Sequence, residues 1–131
     1  MIGLDTNVLV RYLTRDDEAQ FRVARRLLEG LEASGETAYI SVIVLAELAW
    51  VLSISYGFDR PTLAATLEQL VQTVEFTVED RELVSQAIAE FAAGKAGFAD
   101  YLIGVRNRAA GCSATSTFDG ALRGSRGFRA P

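Results

Sequence analysis

Two hydrophobic periods alternate along the chain. Ile2 to Leu4 is a short apolar run that stops at Asp5, which predicts a strand. Asn7 to Leu13 then reads as helix, and Asp16–Asp17 open a second helix that runs to Leu31. In it Phe21, Ala24, Leu27, Leu28 and Leu31 recur at the three- and four-residue spacing of an amphipathic helix face. Ser34-Gly35 stop that helix, and Ala38–Ile40 predict a second strand. A nearly uncharged helix around Glu47 follows and ends at Gly57. Asp59-Arg60-Pro61 starts the next, with proline tolerated in a first turn. Val74–Val78 alternates as an edge strand does. Asp80 reads as the cap of a helix through Phe91, closed by Gly94. Ala99–Ala110 is again helical with Gly111 as its C-cap, Ser113–Thr117 is a short strand, and Phe118–Leu122 a last short helix before an Arg- and Gly-rich tail. Strands alternating with helices predict an α/β fold, a parallel sheet wrapped by helices.

At 131 residues the chain is one domain, 1–131, without repeats or linkers. The 22 residues from Thr37 to Phe58 carry Glu47 as their only charge and could span a bilayer by length. A central acid costs about 2.5–3.5 kcal/mol in a membrane helix. Ser41, Ser53, Ser55 and Gly57 dilute the run further, so a strand followed by a mostly buried helix is the better reading. The start, Met1-Ile2-Gly3-Leu4-Asp5, lacks the charged opening and long apolar run of a signal peptide. With one cysteine besides, the cytoplasm is the expected compartment. That cysteine, Cys112, reads as a small buried residue without a role.

Charge narrows the chemistry. There is no histidine, which excludes the commonest general base, every Ser-His-Asp or Cys-His arrangement and any His-ligated zinc. A lone cysteine excludes an internal disulfide and CxxC motifs. Catalysis here would fall to carboxylates. The net charge is −4, yet residues 101–131 hold five arginines and one acid, Asp119, and are +4 by themselves. Five more arginines crowd the first 26 residues, and Lys95 is the only lysine. Arginine's planar fork suits phosphate, so a local nucleic-acid footprint stands beside the plainer reading of solvated faces and ion pairs.

In a parallel sheet, ligands bind beyond the carboxyl ends of the strands. Asp5 and Asp119 fall at such places, and each has helix capping as its simpler explanation. Asp100 precedes an apolar helix face and could also be a cap. Glu47 lies mid-helix, where no cap is needed; a distant arginine partner is its alternative, since an unpaired buried carboxylate is strongly unfavourable. One explanation covers all four: they converge on a shared cation that makes the cluster tolerable. Oxygen-only ligands point to Mg²⁺ or Mn²⁺ rather than zinc.

The segments Ile2–Arg11, Glu47 in its apolar helix, Phe98-Ala99-Asp100-Tyr101-Leu102-Ile103 and Thr117-Phe118-Asp119 closely resemble PIN-domain ribonucleases, and among them the VapC-type toxins of bacterial toxin–antitoxin pairs. The resemblance covers essentially the whole chain. It implies a parallel sheet in the order 3-2-1-4-5 with helices on both faces. It also implies metal binding by Asp5, Glu47, Asp100 and Asp119, with Thr6, Asn7 and Thr117 steadying them. Gly97 stands where many members carry another acid, and Gly120 where many carry a basic residue. The resemblance further implies metal-dependent endonucleolytic cleavage of structured RNA such as tRNA. Its implied partners are a small antitoxin whose C-terminal segment covers the acids, and a second copy of the chain in a homodimer. Two readings from other classes compete. One is an aspartate-nucleophile phosphatase or phosphotransferase built on Asp5, although Asn7 and a lone Lys95 fit its pattern poorly. The other is a non-catalytic binding domain whose acids only cap helices.

Overall fold

The computed structural model describes residues 1–131 and confirms the α/β class. In chain order the elements are β1 (Ile2–Gly3), α1 (Thr6–Thr14), α2 (Glu18–Ala33), β2 (Ala38–Ile40), α3 (Val42–Ile54), α4 (Arg60–Gln72), β3 (Phe76–Val78), α5 (Arg81–Ala93), α6 (Phe98–Ala109), β4 (Thr115–Ser116) and β5 (Phe128–Arg129), with a 3₁₀ turn at Gly120–Leu122. Two helix starts that the sequence announces are capped, and a third cap forms at Ser41. Asp17 Oδ1 accepts from the Gln20 amide at 3.0 Å, Ser41 Oγ from Val44 at 3.2 Å, and Asp59 Oδ1 from Thr62 at 2.9 Å. Each satisfies a backbone donor that the first helical turn leaves without a partner. Asp80 differs from its expected role: it sits at a left-handed φ of 48° without a cap bond, and its carboxylate lies 3.8 Å from Arg106 instead.

β2 pairs in parallel with β1 (Ile2 with Ala38, Gly3 with Tyr39) and with β3 (Ala38 with Phe76, Ile40 with Val78). The expected run 3-2-1 is therefore present, and β3 is an edge strand as its alternation predicts. β4 pairs with β5, also in parallel, but the two ladders are separate sheets without a hydrogen-bonded β1–β4 joint. Strand β5 lies inside the Arg- and Gly-rich tail, where the sequence placed no element. Gly124 and Gly127, both at φ 80°, turn the chain back so that Phe128 can pair with Thr115.

The core is continuous. Leu9, Leu45, Leu48, Leu52, Leu67 and Val84 are fully buried, each side chain contributing about 1.5–3 kcal/mol by leaving water. Tyr101 joins them, its hydroxyl accepting from the Lys95 and Ala96 amides at 3.0 and 3.3 Å. Helix α6 comes so close to β5 that a Cβ on Gly104 would lie 2.4 Å from the Phe128 ring, and that ring also meets Tyr101 edge-on. This contact seats the tail. No helix is long and apolar enough to cross a membrane, because β2 and α3 divide the Thr37–Phe58 run.

Two expectations about burial fail. Helix α3 buries Leu45, Leu48, Ala49 and Leu52 but exposes Ile43, Trp50 and Ile54, and Glu47 on the same outer face is exposed with them. Cys112 is exposed too, because Gly111 at φ 99° turns the chain outward after α6.

Candidate active site

Parallel strands of one sheet place their carboxyl ends on one edge, where two acidic segments begin, and a third leaves the separate β4–β5 ladder. Asp5 follows β1, Glu79-Asp80 follows β3, and Thr117-Phe118-Asp119 follows β4. Ladder bonds hold two of these exits: the Leu4 amide donates to Tyr39 at 2.9 Å and the Glu79 amide to Ile40 at 3.0 Å. Asp5 stands at the N-cap position of α1 with extended backbone, yet its carboxylate makes no cap bond. It is exposed and forms no hydrogen bond or ion pair, so capping does not explain it. Beside it Thr6 is buried at 3% exposure, and its Oγ1 has no hydrogen-bond partner. A buried hydroxyl without a partner is costly, and this one adjoins an unengaged carboxylate.

Glu47 also has no partner. Its exposure overturns the alternative of a buried ion pair with a distant arginine. Asp100 is half-buried, and its Oδ2 accepts from the Gly97 amide at 3.0 Å, so the capping reading holds for one of its oxygens. Asp119 Oδ1 accepts from the Ala121 amide at 2.8 Å, while its own amide donates to Thr117 Oγ1 at 3.0 Å. Thr117 thus orients the Asp119 backbone. Asn7 is exposed and borders a small groove with Val8, Arg11 and Val23.

The elements bearing these acids are neighbours: α1 packs on α3, α3 on α6, and α6 on β4. They do not form a ready-made cage, since no three carboxylates stand close enough to hold one ion. Mg²⁺ does not require such a cage; it keeps several waters and binds through one or two carboxylates plus substrate phosphates. Two unengaged carboxylates, an orphaned hydroxyl and oxygen-only donors fit such a hard cation. Asp100 also lines a groove of ≈ 450 Å³ with Trp50, Phe58, Lys95 and Phe98. A second groove of ≈ 560 Å³, between α2 and α4, holds none of the four acids.

The arginines divide into two sets. Arg11 is engaged by Asp16 and by Gln20 Oε1. Arg15, Arg25, Arg106 and Arg108 face acids, and Arg60 and Arg81 donate to backbone carbonyls. Arg22, Arg26, Lys95, Arg123, Arg126 and Arg129 are exposed with side chains in no ion pair or hydrogen bond. Glu79 has a structural role that the sequence did not show. It accepts from the Val42 amide at 2.9 Å and so places negative charge at the N-terminus of α3. No sequence signal marks it, because the bond joins residues 37 apart.

The PIN domain family model matches residues 2–124, and the chain belongs to that family. A VapC ribonuclease of Aquifex aeolicus (strain VF5) is 25% identical over 115 residues, covering 88% of this chain and 84% of that relative. No solved structure matches.

Proposed function

We propose that the chain is a Mg²⁺-dependent endoribonuclease and the toxin of a VapC-type toxin–antitoxin pair. The observation that carries this reading is the unengaged Asp5 carboxylate at the end of β1, beside the orphaned Thr6 hydroxyl, in a PIN-family chain. The likeness to a VapC ribonuclease supports the choice of RNA.

Asp5 and Asp100 would hold the ion directly, with Glu47 and Asp119 completing the shell or ordering a metal-bound water. Mn²⁺ suits the same oxygens. When bound, the metal lowers the pKa of a coordinated water and offsets charge on the phosphate under attack. The rest falls to the chain's own groups. Thr117 fixes the backbone of Asp119, the Gly97 amide engages one Asp100 oxygen, and the unpaired arginines bind the RNA backbone. Structured RNA with unpaired loops, such as tRNA, is the substrate class.

A small antitoxin covers the acids with a basic side chain. A second copy of the chain joins it in a homodimer. The cytoplasm is the compartment. The test is cleavage of RNA by purified protein: EDTA abolishes it, and Mg²⁺ or Mn²⁺ restores it. Undiminished cleavage in excess chelator refutes the reading.

A further inference from the structure

Phe118 stands between Thr117 and Asp119 and is 87% exposed, more open than Ile43, Trp50 or Ile54. It takes part in neither an aromatic pair nor a cation–π contact. Its flanks, however, are fixed. The Thr117 amide donates to the Arg129 carbonyl at 2.9 Å, the Asp119 amide to Thr117 Oγ1, and the Ala121 amide to Asp119 Oδ1. An open aromatic ring on an anchored loop needs little ordering to meet a flat ligand.

The strand register supplies the second element. Ser116 pairs with Arg129, so Arg129 lies across the ladder from the residues leading into Phe118 and Asp119. Arg129 has no acid or carbonyl partner, and neither do Arg123 and Arg126 in the same segment. Only Asp119 opposes them among residues 101–131. An aromatic platform beside unpaired guanidiniums matches the chemistry that holds single-stranded nucleic acid: a stacked base and a gripped phosphate.

We infer that Phe118 and Arg129 form a subsite for one unpaired nucleotide next to the Asp119 carboxylate, the Phe118 ring stacking on its base and Arg129 binding the adjacent phosphate. This rests on the RNA-cleaving reading and deepens it, because it makes an unstacked nucleotide a requirement at the cleavage position. A continuous duplex hides the base faces that Phe118 would meet.

The experiment measures binding of a labelled twelve-nucleotide oligo(A) strand and of a twelve-base-pair RNA duplex in EDTA, alongside cleavage of the single strand in Mg²⁺. Phe118→Ala weakens oligo(A) binding roughly 5- to 150-fold, the span expected for losing one stacked base. Phe118→Leu behaves like alanine, and Phe118→Trp restores binding. Duplex affinity does not move, and melting of all three variants matches the wild type. Arg129→Ala reduces the slope of log affinity against log salt by about 0.7, the single-strand value for one phosphate, and Arg129→Lys retains it. If the wild type cleaves and Phe118→Ala binds and cleaves single strands equally well, the subsite is wrong while the nuclease reading stands. If Phe118→Ala keeps RNA binding but loses homodimer or antitoxin binding, Phe118 is a protein anchor and the inference fails. If the wild type neither binds nor cleaves RNA, both readings fall together.

Discussion

The Arg11 guanidinium grips both carboxylate oxygens of Asp16, at 3.0 and 3.1 Å, and Tyr56 Oη reaches the same carboxylate at 2.6 Å. The group ties the end of α1 to the loop after α3, residues 45 apart in sequence. Arg11→Ala therefore lowers the melting temperature while leaving the salt dependence of RNA binding unchanged. Arg123→Ala does the reverse, reducing the slope of log affinity against log salt by about one or slightly less. Thermal melts and salt titrations of both variants check this.

Asp16 has a sign that pH can read. Chiefly the Tyr56 hydroxyl, opposed by partial desolvation and aided by Thr14 and Arg11, holds its carboxyl below the ordinary 3.8. A lowered folded pKa adds stability above the unfolded pKa, and that stability is lost as pH falls through the folded value. Tyr56→Phe moves the folded pKa back toward 3.8. The variant is thus less stable than the wild type near pH 6, and this deficit shrinks toward about pH 2 as the carboxylate protonates in both. Denaturant unfolding across that range measures the deficit directly.

Glu47→Gln separates surface from site. Glu47 is exposed and unpaired, so the change shifts stability by less than about 0.5 kcal/mol. Under the proposed metal site, the same change lowers RNA cleavage roughly 10- to 100-fold. Melting and single-turnover cleavage of the variant report the two effects separately.

The helices were legible because capping and the 3,4 spacing act locally. Asp17 and Asp59 cap as their positions suggest, and β2 falls on Ala38–Ile40 as read. The failures come from partners distant in sequence. Helix α3 is apolar on every side, so its composition cannot tell the face turned to Leu9 and the core from the face that exposes Glu47 and Trp50. Strand β5 is two residues long and depends on two left-handed glycines and on the Gly104 contact, none of which has a local periodic signal. Of the four acids, the sequence marked Glu47 as the one that no cap explains and offered capping for Asp5, Asp100 and Asp119. Only the structure shows that Asp5 leaves α1 uncapped and that Asp100 and Asp119 each commit one oxygen to a backbone amide.

Gly104 tests how the tail is held. Gly104→Ala places a methyl 2.4 Å from the Phe128 ring, so the ring and β5 must move away from α6. Such overpacking costs about 1–3 kcal/mol. Denaturant unfolding reads that loss, and amide exchange at Thr115 and Thr117, whose amides donate to Gly127 and Arg129, reads the loosening of the β4–β5 ladder.

The central claim is that the acids at the sheet edge act through a metal, and Asp5→Asn tests it most directly. Asparagine keeps the shape and suits the same N-cap position, so melting stays within about 0.5 kcal/mol of the wild type. RNA cleavage in saturating Mg²⁺ is the measurement. Loss of a direct metal ligand exceeds the effect of an outer-shell change, so the rate falls by more than about 100-fold. An Asp5→Asn protein that cleaves RNA at the wild-type rate contradicts the account.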